Sequence, residues 1–460
     1  MIRPQLKVSH FLPIVLTVLF LSPSTTRASE EEKGFQFAFE NDPSIPIVNI
    51  SVAFRKGASS DPADLPGLTS FMGEMLLKGT KLRNKSQLEL RMDELGSGIG
   101  IDVRSEFFAV RGSVLSRNLR PFLDLLSEVI LQPSFAEREI VRHRTRLTSE
   151  LIAMRSNDSA VLRYHFNRFL FAGHPYGYPS SGTLASLKKI TRDKLMKQHL
   201  VLLARDQMVI AGTGDADSKV LLEWGRNLER NLPRGSAPLR IPPPKVFPRS
   251  RVLIVDKPDR TQSPVVVSQI GISFNDPSFF PLYVANYAFG GPTFSSRLLQ
   301  EIRVKRGWSY GAGSHFQYGS TAREWNYSFS PATKDVGPAI KFSLEMLKSL
   351  RDNGISAEEL AFSKESIVNG AGFLYNTPAR RIENTLIEKM FSLPDGFFKS
   401  YADKIATTTL EQVNESLQGF LAPDSRAIGV VGSEKDLKHI LSEATGVPEK
   451  YIVVKPFTAD

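Results

Sequence analysis

The order of apolar runs predicts a duplicated α+β fold, two homologous α+β domains closing as a clamshell and joined by a proline-rich linker. Three observations predict it. In each half, strand-like runs come first and runs of helix follow, rather than alternating one for one. The stretch 231–245 carries Pro233, Pro238, Pro242, Pro243 and Pro244, too many for a helix or a central strand to continue through. The segments on either side are similar in length and read alike, as a repeat would.

The first 28 residues read as a signal peptide. Arg3 and Lys7 form a positive start, an apolar run covers 11–21, and a small, polar exit ends at Ala28. The run is shorter than the roughly 18 apolar residues that span a bilayer, and no Cys follows it for a lipid anchor. The expected product is exported, periplasmic and without a stable membrane anchor. Residues 29–230 then form the first domain, 231–245 the linker and 246–460 the second domain.

Within the first domain, 47–54 alternates as a strand, 67–78 is helical, 100–114 returns to strand alternation, and 119–130 and 137–154 are long helices. The second domain repeats this order. Its strand is 264–273, its helix 282–289 continues into 295–306, its alternation covers 310–329, and its long helices are 336–352 and 357–369. The 67–78 helix shows Leu68, Phe71, Met72, Met75 and Leu76 as one apolar stripe, and Gly79 stops it.

Composition narrows the chemistry. The 460 residues include no cysteine, so thiolate zinc sites, iron–sulfur clusters, disulfides and cysteine nucleophiles are excluded. Seven histidines are present, and none forms an i, i+4 pair. The formal charge of +10 falls to +7 once Arg3, Lys7 and Arg27 leave with the signal peptide. The remaining Lys and Arg are scattered among acids, which describes a solvated surface and not a nucleic-acid interface. Gly290-Gly291 lacks the context of a phosphate loop. His174 reads as structural beside Tyr176 and Tyr178, and His143 sits among Arg142, Arg144 and Arg146, which disfavours cation binding.

Four ordered stretches carry a resemblance. Residues 67–80, GLTSFMGEMLLKGT, resemble the zinc helix of the insulinase/pitrilysin metallopeptidases, G-L-A-H-F-L-E-H-M-L-F-K-G-T. Residues 174–183, HPYGYPSSGT, resemble their H-P-Y-G…G-T stretch. Phe289-Gly-Gly with Ser295-Ser-Arg-Leu298 resembles L-G-G…S-S-R-L, and residues 301–310, EIRVKRGWSY, resemble R-E-K-R-G-L-A-Y.

The departures matter as much. In that family two His at i and i+4 bind zinc, and a Glu between them activates water. Here Ser70 and Glu74 stand at the His positions and Gly73 at the Glu position, while Glu150 falls near the third ligand. Ser is a poor zinc ligand and Gly carries no base. No metal is therefore expected in this chain.

The resemblance implies that Arg303 and Tyr310 form an Arg/Tyr pair, which in related peptidases stabilises the tetrahedral intermediate. It also implies that Gly98, Ile99 and Gly100 lie on an edge strand that takes substrate by β-addition. Together these imply a non-catalytic subunit of a heterodimeric zinc metallopeptidase, inactive alone. Zinc would belong to a homologous partner bearing the zinc motif, a peptide would be the substrate, and the pair would act in trans. Two alternatives stay open. One is a structural or peptide-binding scaffold subunit. The other is a self-sufficient metallopeptidase with a displaced site built from Glu74, Glu150 and a His.

Overall fold

A computed structural model describes residues 27–30 (as backbone), 34–235, 240–422 and 424–460. The expected signal peptide lies outside the described residues, save that Arg27 and Ala28 belong to the strand that opens the fold.

Among the described residues, twelve strands form two six-stranded sheets. The first contains β1 (Arg27–Glu30), β2 (Gln36–Asn41), β3 (Ile47–Phe54), β4 (Ser97–Val103), β5 (Phe108–Leu115) and β6 (Met208–Gly214), in the order β1-β2-β6-β3-β5-β4. The second contains β7 (Arg251–Asp256), β8 (Val265–Ile270), β9 (Ala312–Phe316), β10 (Glu324–Phe329), β11 (Ala427–Gly432) and β12 (Ile452–Pro456), in the order β12-β7-β11-β8-β10-β9. The duplication is visible in the pairing. In each sheet the last long strand inserts parallel to the first and antiparallel to the second: β6 between β2 and β3, β11 between β7 and β8. The copies differ at the outer rim, where β1 runs antiparallel and β12 parallel to its neighbour.

Each sheet is covered on both faces, and this explains its apolar runs. Val48, Ile50, Val52 and Phe54 of β3 point to a core shared with the helices Leu68–Leu76, Leu119–Leu131 and Ser218–Asn231. Val265 and Val267 of β8 face the equivalent core with the helices Phe279–Gly290 and Val336–Asn353.

The opposite faces are closed by exchange. The helix Asp158–Leu170 of the first half packs Val161, Leu162 and Phe166 onto the second sheet. The helix Pro378–Met390 of the second half packs Ile382, Leu386 and Met390 onto the first sheet. Each such buried side chain contributes roughly 2 kcal/mol, so the exchange binds the halves together. Polar ties add to it. Arg381 donates to Glu40 at 3.1 and 3.0 Å through Nε, and Arg111 donates to Glu383 at 2.6 and 3.0 Å.

Two expectations are corrected. The alternation over 100–114 is a hairpin, β4 and β5, broken at 104–107, and 310–329 is likewise β9 and β10. The helix expected to run on through 295–306 stops at Gly290. The chain resumes as a short α turn, Arg297–Leu299, followed by a π-helix, Gln300–Lys305. No helix among the described residues is long and apolar enough to cross a membrane.

Candidate functional site

The helix Leu68–Leu76 is entered through Gly67, whose φ of 87° is left-handed. A Cβ there would stand 2.5 Å from the Cα of Gly182, so two of the motif stretches meet backbone to backbone at this point. Asp61 holds the helix start by accepting from the backbone N–H of Gly67 at 2.8 Å and of Thr69 at 2.9 Å. Burial pushes its carboxyl up to about 6.

Three of the four positions expected to be degenerate, Ser70, Gly73 and Glu74, lie on this helix, and Glu150 lies on the helix Glu137–Met154. Ser70 is half-buried and Gly73 is buried. A Cβ on Gly73 would fall 2.7 Å from the Phe108 ring and 2.8 Å from the Cγ2 of Ile101. The space beside Gly73 is thus filled by the sheet's own side chains. Glu74 lies 3.9 Å from Arg146 and 3.9 Å from Lys78, while Glu150 accepts from Arg146 at 2.8 Å. Arg146 therefore serves both carboxylates. It also donates to Nδ1 of His143 at 3.1 Å. His143 is buried edge-on against Phe71, with ring centres 4.5 Å apart, and its Nε2 has no partner. Burial, with Arg146 and Lys78 nearby, lowers its pKa to about 4.

These residues do not fit a zinc site. His143, tied to the same Arg146 as Glu150, already has its Nδ1 paired with that guanidinium. Among the described residues no group of three or more His, Asp or Glu side chains is placed to hold a metal.

The second half presents the opposite arrangement. Three cations leave the π-helix and the turn after it. Lys305 donates to Glu301 at 2.6 Å, and Arg306 donates to Glu301 while stacking 3.5 Å from the Phe342 ring centre. Hydrogen bonding from Lys305, then from Arg306, holds the Glu301 carboxyl below its ordinary value. The Arg303 side chain makes no hydrogen bond or ion pair among the described residues. It lies against two rings, 4.6 Å from the centre of Tyr310 and 5.3 Å from that of Phe294. Gly307, at φ 63°, reverses the chain so that Tyr310 returns to Arg303. Tyr310 is 87% exposed and Phe294 66%. A π-helix is rare, is often found at functional sites, and here carries the one cation of the three that is uncommitted.

β4 is the outer strand of its sheet, with β5 as its partner. Gly98 and Gly100 are exposed, with no atom within 4 Å of where a Cβ would stand, and Ile99 packs on the core side. An edge with open glycines leaves its backbone reachable.

His174 is structural. Its Nε2 contacts the carbonyl of Pro242 in the linker at 2.8 Å, and Nδ1 accepts from the N–H of Tyr176. Tyr176 in turn donates to Glu106 at 2.7 Å, and Glu106 accepts from the N–H of Ser320 in the other half at 3.0 Å. Sequence reasoning missed this junction and Phe294. An aromatic between Gly291 and Ser295, in a turn too short to bury it, was the available sign for Phe294.

Comparison with known proteins agrees with the geometry. The model described as insulinase (peptidase family M16) matches residues 36–184, and that described as the peptidase M16 inactive domain matches 189–367. The chain is similar to a Bacillus subtilis protein named uncharacterized zinc protease YmxG, at 23% identity over 73% of this chain and 81% of the relative. It is similar to the non-peptidase homolog YmxG of Helicobacter pylori, at 20% identity over 86% and 91%. Among solved structures, a peptidase M16 inactive domain from Pseudomonas fluorescens superimposes with a TM-score of 0.83 and 21% identity, covering 89% of this chain and 98% of that one.

Proposed function

The chain belongs to the insulinase family, peptidase family M16, and from that premise we propose that it is the non-catalytic subunit of a heterodimeric zinc metallopeptidase, lending Arg303 and Tyr310 in trans to a zinc-bearing homologous partner. Zinc in that partner would polarise the peptide carbonyl and activate water. In this reading the half-buried guanidinium and the exposed phenol donate to the carbonyl oxygen of the scissile bond and to the oxyanion it becomes. β4 receives the peptide by backbone pairing, and the exported chain meets its partner in the periplasm.

The observation that carries this reading is the contrast between the two halves. Where a base would stand, Phe108 and Ile101 fill the space beside Gly73. The Arg303 donors, by contrast, are oriented by two rings and left unspent at the surface. The H. pylori relative, named a non-peptidase homolog, agrees with a role without zinc chemistry of its own.

The test is reconstitution. The chain is mixed with a zinc-motif homologue from the same cell and peptide cleavage is followed. The expected result is cleavage by the mixture that Arg303→Ala and Tyr310→Phe each reduce strongly while complex formation persists. A mixture indifferent to both substitutions overturns the trans contribution and leaves a scaffold.

A further inference from the structure

Beside the start of β7 lies a cleft of about 530 Å³, bordered by Arg249, Arg251, Asp424 and Tyr451, with Val447 and Pro448 as its apolar wall. Neither Arg303 nor Tyr310 touches it.

Arg251 is the first residue of β7 and is half-buried. Its guanidinium carbon lies 4.2 Å from the ring centre of Phe169 and 4.6 Å from that of Phe247. Phe169 belongs to the helix Asp158–Leu170 of the first half, so the group stands where the two halves meet. The Arg251 side chain makes no hydrogen bond or ion pair among the described residues, and none of its nitrogens is sealed from solvent. Arg249 is exposed, 4.8 Å from the Tyr451 ring centre, and its side chain is likewise unpaired among the described residues.

The rings offset part of the hydration that Arg251 gives up, but they take none of its five donors. A half-buried cation without a counter-ion, open to a cleft, favours an anion there. A guanidinium fork grips a carboxylate through two parallel hydrogen bonds, roughly twice as strong as neutral ones.

The rest of the lining narrows the anion. Asp424 is exposed and pairs with neither arginine. The helix Glu434–Thr445 ends at the cleft, where Thr445 and Gly446 line it, so the negative end of its dipole borders the site. A phosphate carries more charge than a carboxylate and meets more repulsion from both. The Tyr451 ring, Val447 and Pro448 suit the apolar part of a residue attached to the carboxylate.

We infer that this cleft binds a carboxylate presented by a peptide, gripped by Arg249 and Arg251. Two sources carry that group, a free C-terminus and an Asp or Glu side chain. The inference is independent of the zinc-bearing partner and of the Arg/Tyr pair. The test is isothermal titration calorimetry of the full mature chain with three N-acetylated dipeptides. One is Ala-Leu with a free C-terminus, one is the same peptide as its amide, and one is the amide of Ala-Glu, whose only carboxylate is on the side chain. At least one carboxylate peptide is expected to bind about tenfold tighter than the Ala-Leu amide, the worth of one hydrogen bond between charged groups, and the tighter of the two identifies the source. Arg251→Lys, which keeps the charge and loses the fork, and Arg249→Gln, at an exposed position, should each weaken that binding about tenfold. Asp424→Asn should strengthen it, because a repelling charge is gone. Acetate should displace the peptide more readily than inorganic phosphate at the same ionic strength. Equal binding of the Ala-Leu amide, no binding of either carboxylate peptide, binding untouched by both arginine variants, or displacement by phosphate ahead of acetate overturns the inference. Each of these is read on this chain alone, whereas failure of the trans reading appears only in the partner's cleavage rate and its response to Arg303→Ala.

Discussion

The guanidinium carbon of Arg303 lies 4.6 Å from the ring centre of Tyr310, seven residues away, because a π-helix and a left-handed glycine fold the chain back on itself. The Phe294 ring centre lies 5.3 Å from the same carbon. Two ring contacts hold a charged group without consuming any of its five donors.

Arg303→Ala should therefore cost activity and not stability. Removing one donor from an oxyanion site lowers kcat by about 10²–10³-fold, while the thermal midpoint should move little, because this half-buried side chain makes no hydrogen bond or ion pair among the described residues. Arg303→Lys should fail to restore the rate, since an ammonium lacks the planar fork. Steady-state cleavage by the reconstituted pair, alongside a thermal melt, checks both. Full activity of Arg303→Ala would mean that the stack is only structural.

Phe294→Ala should act through Arg303. With one ring gone the guanidinium samples more rotamers, and cleavage by the mixture should fall about tenfold, less than for Arg303→Ala. Phe294→Leu, which keeps bulk but no π face, should not rescue it, whereas Phe294→Tyr should.

Gly73→Ala should destabilise the fold by about 1–3 kcal/mol, the usual penalty for overfilling a packed core. The added methyl would press on Phe108 and Ile101. Urea denaturation measures it. An unchanged midpoint would show that the space beside the helix is not closed.

The pH dependence of stability carries the signature of His143. Its folded pKa, about 4, lies below its ordinary 6.5. The stabilising contribution is whole above pH 6.5 and is lost as pH falls toward 4, because the unfolded chain takes up a proton that the folded one refuses. Between pH 7.5 and 5 the loss is about 2 kcal/mol. Asp61, raised to about 6, works in the opposite direction. It is common to wild type and His143→Leu, so comparing the two proteins in urea at both pH values isolates the His143 part. The variant should lose less stability on acidification. Equal losses would contradict a buried neutral imidazole.

Much of this was legible in the sequence, and the remainder was hidden for physical reasons. β3 occupies the segment expected, 47–54, because an apolar run covered on both faces stands out in the sequence, and the helix Glu137–Met154 likewise matches, because it keeps one solvated face and so a clear period. The exchanged helices Asp158–Leu170 and Pro378–Met390 escaped notice, since a local pattern cannot say that an apolar stripe belongs on the other half's sheet. The π-helix was read as ordinary helix, because residue types do not separate the two. At the site, the loss of ligands at Ser70 and Gly73 was readable as letters. That Arg146 would take up Glu74 and Glu150 was not, because that tie joins residues 72 and 4 apart in sequence on separate helices and within one.

The measurement that bears most directly on the central claim is made on this chain by itself. The purified mature protein is incubated with zinc, desalted, and assayed together for bound metal and for peptide cleavage. The account predicts substoichiometric zinc and no cleavage. One tightly held zinc per chain with cleavage in the absence of any partner would contradict it.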